Sequence, residues 1–368
     1  MAKPERTEAD VNDIHGGDIY RNRVTCDFSV SVNPLGMPEG SIRAAKQGIM
    51  RSGAYPDSLG MELRQALAAK EHVKPEEIVL GNGAAELIYA LCYALRPQKA
   101  VVTAPSFSEY EAAVTASGGD VLYWDLEEKN DYSLKEEALS FLTEDIDLVF
   151  LCNPNNPTGS LTHRSLLLKI AAACEQAGIF FCVDECFLPF LKNEESLTLR
   201  QELKSFPHLL ILRAFTKIYA MPGLRLGYAM SANRQLLMKL RLSMQPWNTS
   251  IPAQMAGLEA LKEKDYIRRT RQLLARERAY LCGEMADGLA ERIYDSSANY
   301  IFFRSRSDLQ ERLLSDGILI RSCANYRNLS EGFFRIGIRT HEENQKLIES
   351  WRKWSSTLRR TETWQNQL

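Results

Sequence analysis

The feature that most constrains this chain is the regular alternation of short apolar runs with longer amphipathic segments. The apolar runs, rich in β-branched and aromatic residues, are residues 78–80, 100–102, 120–123, 148–152, 179–183 and 209–212. Helical patterns of roughly 10 to 18 residues separate them, for example residues 84–94 and 161–176. This alternation is typical of βαβ units, in which helices connect parallel strands. We therefore predict an α/β fold with a mostly parallel sheet between helices.

The pattern changes after about residue 245. A long charged helix is predicted over residues 265–289, and the strands predicted after it are residues 299–303, 319–320 and 333–338. A chain of 368 residues is also long enough for about two domains. The predicted units are an N-terminal arm that packs with the second domain, a large domain and a smaller α+β domain, at residues 1–40, 41–245 and 246–368.

Charge and cysteine content exclude several function classes. The 45 Lys and Arg residues nearly balance the 47 Asp and Glu residues, so no overall positive field would hold a nucleic acid or an anionic membrane. The sequence has no apolar stretch of about 18 residues and no apolar leader, so we expect a cytoplasmic location and no membrane partner. Cys182 and Cys186 would share one strand face without a His at ligand spacing, and we predict no metal site.

Candidate site residues follow the predicted strands, where ligands bind in open α/β sheets. A glycine turn at residues 81–83 opens a helix whose free N–H groups suit a phosphate, and a rigid Asn/Pro turn occupies residues 153–159. Asp184 ends one strand, and Lys217 follows another, with Arg225 just beyond it. Taken singly, each has an ordinary alternative: a tight turn, a capping acid or a solvated cation.

In combination these segments indicate a more specific chemistry. A phosphate cradle, an aspartate and a lysine are what a pyridoxal 5′-phosphate enzyme needs for the phosphate, ring nitrogen and aldehyde of its cofactor. The succession Asn-Asn-Pro-Thr-Gly, Asp-Glu, Thr-Lys and Pro-Gly-Leu-Arg-Leu-Gly resembles the fold-type I pyridoxal-phosphate enzymes of the aspartate aminotransferase superfamily. The resemblance extends over residues 15–347 and implies a large domain with a mostly parallel, seven-stranded sheet.

The resemblance implies roles for the candidate cofactor residues. Lys217 would bind the cofactor's aldehyde through its amine, and Asp184 would pair with the ring nitrogen. Asn156 would bond the ring oxygen, and Tyr110 would lie against the ring. The groups that would hold the phosphate are the backbone of Ala84 and Ala85, Thr216 and Arg225. A carboxylate about 4 Å from the ring nitrogen would favour the protonated ring by roughly 4 kcal/mol at an effective dielectric constant of about 20, which preserves the electron sink.

Two further positions bear on assembly and tuning. Tyr55, in Tyr-Pro-Asp, resembles a tyrosine that reaches the cofactor phosphate of the partner subunit, which implies a homodimer with shared active sites. Phe187 departs from the family pattern, since many aminotransferases have a tyrosine there that bonds the ring oxygen. The chain would therefore lack one of the groups that tune the cofactor.

Three arginines near the C-terminal strands indicate a substrate with more than one anionic group. Arg321 follows an apolar pair, and alternation would place Arg335 and Arg339 on one strand face. Guanidinium groups suit carboxylate and phosphate oxygens, although charges on an edge strand can also be merely solvated. The resemblance places Arg335 at the usual carboxylate-binding position.

Within the superfamily, the chain resembles the threonine-phosphate decarboxylases of cobalamin biosynthesis more than the histidinol-phosphate aminotransferases. The segments that carry this resemblance include residues 15–19, 245–248 and 320–326, and Arg339 replaces a glycine usual in aminotransferases. The substrate contacts that it implies, besides the three arginines, are His15, Gly16, Gly17, Asn33 and Asn156. His15 and the two glycines could equally form a flexible arm.

The resemblance implies decarboxylation of O-phospho-L-threonine to (R)-1-amino-2-propanol phosphate, with Lys217 as general acid. The alternatives are transamination of histidinol-phosphate type and decarboxylation of O-phosphoserine, which differs from phosphothreonine by one methyl group. A non-catalytic binding protein on the same scaffold is a third alternative. A dinucleotide-dependent dehydrogenase is disfavoured, because no acidic residue follows the glycine turn at the expected spacing.

Overall fold

The computed structural model describes residues 15–365 and confirms the α/β class. In chain order its strands are β1 Cys26–Asp27, β2 Ile78–Gly81, β3 Lys99–Ala104, β4 Asp120–Asp125, β5 Leu148–Cys152, β6 Phe180–Asp184, β7 Leu209–Ala214, β8 Gly227–Met230, β9 Arg292–Ile293, β10 Tyr300–Arg304, β11 Ile318–Leu319, β12 Arg321–Ser322 and β13 Phe333–Gly337. Its helices are α1 Glu39–Met50, α2 Met61–Glu71, α3 Gly83–Leu95, α4 Glu109–Ala116, α5 Arg164–Ala177, α6 Glu194–Leu197, α7 Phe215–Ile218, α8 Arg234–Ser243, α9 Ile251–Ala260, α10 Lys264–Ala286, α11 Leu309–Ser315 and α12 His341–Gln365.

The main sheet has the strand order β2-β8-β7-β6-β5-β3-β4. All neighbours from β7 to β4 pair in parallel, whereas β8 is antiparallel to both β2 and β7. Strands β5 and β7 are buried along their whole length, as expected where helices cover both faces of a parallel sheet. The predicted seven-stranded, mostly parallel sheet is confirmed.

Helix α5 illustrates how local sequence sets the boundaries between these elements. The side chain of His163 accepts a hydrogen bond from the backbone N–H of Ser165 at the first turn. Gly178 ends the helix with a φ of 72°, a left-handed conformation that glycine adopts at little cost. The helix therefore delivers the chain directly into β6, although it begins at Arg164 rather than at residue 161.

The second layer is an antiparallel sheet of order β12-β13-β10-β9, and the N-terminal segment joins this layer. Strand β1 pairs in parallel with β11, and the backbone N–H of Gly337 donates to the Phe28 carbonyl. Residues 1–14 of the expected arm lie outside the described residues.

Helix α9, beyond the expected boundary at residue 245, packs on α1, where Gly48 lies against Pro252. The domain limits stay predictions.

None of the helices within residues 15–365 is long and apolar enough to cross a bilayer.

Candidate active site

Three segments that follow strands of the main sheet bring functional side chains to one edge. Asp184 is the last residue of β6, Asn156 lies in the turn after β5, and Lys217 lies in the one-turn helix α7 directly after β7. Because β5, β6 and β7 are parallel neighbours, their carboxyl ends share this edge. It is the edge at which open α/β sheets bind ligands.

Lys217 is partly buried as a residue and lies among charged groups. Burial lowers the pKa of Lys217 to about 8; the positive charges of Arg335 and Arg225 lower it too, while Asp184 opposes them. These residues therefore lie near enough for their charges to act on the lysine. A pKa near 8 leaves neutral amine available near neutral pH, and the neutral amine is the form that attacks a carbonyl carbon.

The Asp184 carboxylate is buried and held by two donors. The hydroxyl of Tyr110 donates to Oδ2 at 2.7 Å, and the backbone N–H of Cys186 donates to Oδ1 at 2.8 Å. The Tyr110 ring is fully buried and stacks on Phe150, with centroids 5.0 Å apart and an interplanar angle of 13°. In the structure Tyr110 contacts Phe150, Phe107 and Asp184, and the expectation that it lies against the cofactor ring stays a prediction.

An aromatic side chain that the sequence reasoning missed is Phe107. It is only partly buried and meets Tyr110 edge to face, with centroids 5.6 Å apart. The available signal was its position in the loop between β3 and α4, at the same edge of the sheet as Asp184. A partly exposed ring there has the position of an aromatic cover for a planar ligand.

The N-terminus of helix α3 forms a closed cradle together with Arg225. Gly83, the first residue of α3, has a φ of 80°, and a Cβ there would lie 2.6 Å from Arg225 Nη2. A Cβ at Gly227 would lie 2.7 Å from the backbone nitrogen of Ala84. Thr216 is buried one residue before Lys217. Helix N–H groups and a guanidinium at one point favour an anion.

These groups fit pyridoxal 5′-phosphate. The cradle would take the phosphate through the N–H groups of Ala84 and Ala85, and Asp184 would take the protonated ring nitrogen. Lys217 supplies the amine. Of the residues expected around this cofactor, Tyr110 and Asp184 are in contact, and the charges of Arg225 and Asp184 act on Lys217; Tyr55 is described below.

The two arginines at the second layer face each other across paired strands. Arg321 of β12 and Arg335 of β13 are direct cross-strand partners, and both are buried. Like charges in this arrangement repel each other and destabilise a sheet. A buried pair of guanidinium groups is therefore suited to an anionic ligand that lies against both.

Arg335 is fixed by several protein contacts, and its Nε–H faces no acceptor of the protein among the described residues. Its Nη1 donates to Asn156 Oδ1, and its Nη2 donates to the Ser29 carbonyl at 2.9 Å. Its guanidinium carbon lies 5.2 Å from the centroid of the Tyr300 ring. Among the described residues its buried Nε has no hydrogen-bond partner, which is costly unless a ligand accepts from it.

Arg339 does not share a strand face with Arg335, and that expectation is wrong. Strand β13 ends at Gly337, and the backbone N–H of Arg339 instead donates to Asn344 Oδ1. The Arg339 guanidinium donates to Glu343 Oε1 at 2.8 Å in the first turn of α12. The end of a strand depends on tertiary pairing, which alternation in the sequence does not encode. A substrate contact of Arg339 stays a prediction.

The segment with His15 and its two glycines lies over Ser29, next to Arg335. The backbone N–H of Gly17 donates to Ser29 Oγ at 2.7 Å, and a Cβ at Gly16 would lie 2.6 Å from the Ser29 carbonyl oxygen. His15 Nε2 lies 2.9 Å from Glu109 Oε1. The glycines thus allow a close approach of two backbones at the carboxyl edge, and Ser29 is a link that the sequence reasoning missed.

The Asn33 side chain forms its hydrogen bonds with other protein groups. Its Nδ2 donates to the Ile218 carbonyl at 2.8 Å and to Thr270 Oγ1 at 2.7 Å, and its Oδ1 accepts from the backbone of Leu35. Its backbone N–H donates to the Lys217 carbonyl at 3.1 Å. Asn33 therefore ties the lysine-bearing helix α7 to the N-terminal segment.

Tyr55 lies on the surface of the chain. Its side chain is 77% exposed, and its ring stacks on that of Trp247 with centroids 4.4 Å apart. Other large apolar side chains exposed on α1, α3 and α8 are Ile42, Ile49, Met50, Tyr89, Tyr93, Met238 and Leu242. The chain by itself does not cover these groups.

Comparisons with known proteins agree with this geometry. The model of the family described as aminotransferase class I and II matches residues 25–350. The threonine-phosphate decarboxylase of Salmonella typhimurium is 37% identical over 352 residues, which cover 93% of this chain and 96% of that protein. Histidinol-phosphate aminotransferase 1 of Cupriavidus pinatubonensis is 32% identical, over 86% of this chain and 84% of that protein.

A solved structure resembles the whole arrangement. The histidinol-phosphate aminotransferase from Clostridium acetobutylicum matches with a TM-score of 0.84 and 30% identity, over 90% of this chain and 99% of that one.

Proposed function

We propose that the chain, which belongs to the aminotransferase class I and II family and is an enzyme that depends on pyridoxal 5′-phosphate, is a carboxy-lyase. Its substrate is O-phospho-L-threonine, and its products are carbon dioxide and (R)-1-amino-2-propanol phosphate. The observation that carries the proposal is the buried, directly opposed pair Arg321 and Arg335. Two guanidinium groups match a substrate with both a carboxylate and a phosphate, and the 37% identity to the threonine-phosphate decarboxylase of Salmonella typhimurium favours this substrate over histidinol phosphate.

The cofactor would be held by residues at the carboxyl edge of the main sheet. The residues proposed to hold it are Ala84, Ala85, Tyr110, Asn156, Asp184, Thr216, Lys217 and Arg225, with Tyr55 from a second subunit. When bound, pyridoxal 5′-phosphate supplies an aldehyde for the substrate's amine and a ring that accepts the electron pair left at Cα. Asp184 keeps a proton on the ring nitrogen, which maintains that electron sink. Tyr110 acts through Asp184, since its hydroxyl donates to Oδ2.

Lys217 takes part in two proton transfers. Its pKa of about 8 lets the amine give up a proton near neutral pH, as covalent bonding to a carbonyl carbon requires. After carbon dioxide has left, Lys217 Nζ donates a proton to Cα of the product. The same low pKa makes the ammonium form a readier proton donor than an exposed lysine.

The arginines and the N-terminal segment orient the substrate. Arg335 donates to the carboxylate through its Nε–H, and Arg321 donates to oxygens of the phosphate. His15, Gly16 and Gly17 lie against Ser29 beside Arg335, where they help to enclose the phosphate. A substrate held at both its carboxylate and its phosphate has its Cα–carboxylate bond oriented for cleavage, and the enclosing residues exclude water.

The test is the product formed from O-phospho-L-threonine by purified, cofactor-loaded protein. We expect one carbon dioxide for each 1-amino-2-propanol phosphate, with no 2-oxo acid and no conversion of the cofactor to its pyridoxamine form. Lys217→Ala is the control and should form no product. Accumulation of pyridoxamine phosphate with a 2-oxo acid would instead identify an aminotransferase. Parallel reactions with O-phosphoserine and histidinol phosphate distinguish the remaining substrates.

The arginine pair provides a second test. We expect Arg321→Gln to raise KM for O-phospho-L-threonine by about 10- to 100-fold, since a charge-assisted contact to an anion is lost. Arg312→Gln is a matched control on an arginine that pairs with Asp308 and has no proposed role in the site, and it should change KM by less than about threefold. Equal effects of both variants would contradict the proposed anchor.

We also propose a cytoplasmic homodimer with shared active sites, whose product supplies the nucleotide loop of cobalamin. The exposed stack of Tyr55 and Trp247 supports the dimer. The eight cysteines, none of them in a disulfide, support a reducing compartment.

A further inference from the structure

A group of charged side chains lies buried beside the active site and is not used by the proposed mechanism. We call Glu71, Glu185, Glu194, Arg200 and Arg213 the buried ion cluster. The exposed fractions of the Glu71, Glu185 and Arg213 side chains are 0%, 1% and 2%. Charges are almost never buried so deeply unless they are paired, so this cluster requires a physical reason.

Within the cluster, Arg213 bridges three carboxylates. Its Nη2 lies 2.7 Å from Glu185 Oε2, and its Nη1 pairs with Glu194 and lies 3.7 Å from Glu71 Oε2. Arg200 Nη1 lies 2.9 Å from the same Glu71 oxygen. Although burial alone would raise it, the positive charges around Glu71, that of Arg213 first, lower the pKa of Glu71 to about 2. Each of the three carboxylates thus lies against at least one of the two guanidinium groups, and Arg271 adds a third, 2.8 Å from Glu194 Oε2.

The cluster spans the two strand ends that carry the cofactor residues. Glu185 directly follows Asp184 at the end of β6, and Arg213 lies on β7, four residues before Lys217. Consecutive residues of an extended chain point to opposite faces, so Asp184 reaches Tyr110 while Glu185 reaches Arg213. The Glu185–Arg213 pair therefore connects, from the opposite face, the backbone segments of the ring-binding acid and the cofactor-binding amine.

The second oxygen of Glu185 adds a further fixed contact. Glu185 Oε1 accepts from the backbone N–H of Leu199 at 3.0 Å, and Oε2 accepts from Thr198 Oγ1 at 2.8 Å. The Glu185 backbone N–H donates to the Leu212 carbonyl at 2.9 Å. With both carboxylate oxygens and the main chain engaged, rotation of Glu185 is blocked, and Asp184 next to it is held in one orientation.

We infer that Glu185 and Arg213 are positioning residues, which fix the spacing between the Asp184 carboxylate and the Lys217 amine. The inference rests on the proposed function, since it concerns the two residues that bind the cofactor there. Fold stability alone is a poor reason for such a pair, because apolar side chains of similar size often stabilise a core as well or better. A misplacement of about 1 Å at reacting groups, in contrast, costs about 100-fold in rate.

The experiment compares Glu185→Gln with a matched control, Glu277→Gln. Glu277 is also completely buried and accepts from Asn344 Nδ2 at 3.0 Å and from Arg276 Nε at 2.8 Å, but it lies on α10 in contact with α12. For each purified protein we would measure Tm, the dissociation constant for pyridoxal 5′-phosphate, and the pH midpoint of the bound cofactor's absorbance. We expect both variants to lower Tm. Only Glu185→Gln should weaken cofactor binding, by about tenfold or more, and shift the absorbance midpoint.

Thr198→Val keeps the inference testable if Glu185→Gln does not fold. It removes the hydroxyl that donates to Glu185 while leaving every charge in place. We expect a smaller change of cofactor affinity and absorbance midpoint in the same direction. Wild-type values for both quantities, in a variant whose Tm has fallen, would overturn the inference and leave the proposed function intact. Wild-type protein that takes up no pyridoxal 5′-phosphate would overturn both.

Discussion

Lys217 combines a reactive amine with an environment that disfavours its charge. Burial lowers its pKa from 10.5 to about 8, so the folded apoprotein loses this proton at lower pH than the unfolded chain does. Below about pH 8 both states are protonated, and the folded state carries the full cost of the disfavoured charge. Between about 8 and 10.5 only the unfolded state keeps the proton, so stability rises with pH across this window.

We therefore predict that apoprotein with Lys217→Met is more stable than wild-type apoprotein at pH 7, by about 2 kcal/mol after screening by solvent. This advantage should shrink steadily above pH 8. Urea unfolding followed by circular dichroism at pH 7 and pH 9.5 measures it. Lys192→Met, at an exposed lysine, is the control and should show no such pH dependence. A difference that stays constant with pH would contradict the assigned burial of the amine.

At the same scale, residue type and order were sufficient for some assignments and insufficient for others. Lys217 and Asp184 follow strands that the pattern predicts, so their convergence could be foreseen. The hydrogen bonds of Asn33 with Ile218 and Thr270, and of Arg339 with Glu343, could not be predicted from the sequence. These partners come from distant segments or depend on where a strand stops, and neither is set by local sequence.

Helix α3 shows how one element provides a binding feature. Its first residue, Gly83, has a positive φ and leaves no room for a side chain beside Arg225. A helix N-terminus offers a ligand N–H groups that have no partner within the helix, together with the positive end of the helix dipole. Glycine is needed at this position for its conformation and for its lack of a Cβ.

We predict that Gly83→Ala weakens binding of pyridoxal 5′-phosphate by about tenfold or more, because the new Cβ displaces the Arg225 guanidinium. The matched control is Gly118→Ala, which has a φ of 90° but no atom within 4 Å of the new Cβ. Both substitutions impose strain of about 1 kcal/mol, so both should lower Tm similarly. Cofactor affinity, measured by titration, should separate them. Equal affinities would show that the cradle does not hold the phosphate.

Among the strands, the parallel members of the main sheet could be predicted and β8 could not. Continuous apolar runs mark buried parallel strands, as in β5 and β7. Strand β8 has only four residues and contains Gly227, which packs against the start of α3. Its antiparallel pairing with β2 and β7 is a contact between distant segments, which the chain's local pattern does not specify.

For the whole molecule, the exposed aromatic stack of Tyr55 and Trp247 is the feature that a second subunit would cover. We predict a dimer, with twice the chain mass of 41.7 kDa by light scattering. The sharper measurement mixes two impaired proteins, Tyr55→Ala and Lys217→Ala, after dissociation and reassociation. If Tyr55 acts in the partner's site, each mixed dimer has one intact site, and about a quarter of wild-type activity should return.

Two outcomes would contradict this prediction. Mixed dimers without recovered activity would mean that Tyr55 and Lys217 serve the same subunit's site. A monomer with full activity would mean that the exposed apolar side chains have another role. The unmixed variants, treated identically, are the controls.

The sequence by itself determined the α/β class, the parallel core strands and the cofactor chemistry, because periodicity and short motifs are local properties. Only the tertiary structure decided three features: the cross-strand pairing of Arg321 with Arg335, the hydrogen bond from Tyr110 to Asp184, and the buried ion cluster. Each of these joins residues of different strands, helices or loops. Such pairings depend on which strands become neighbours and where they end, and that is fixed only when the whole core packs.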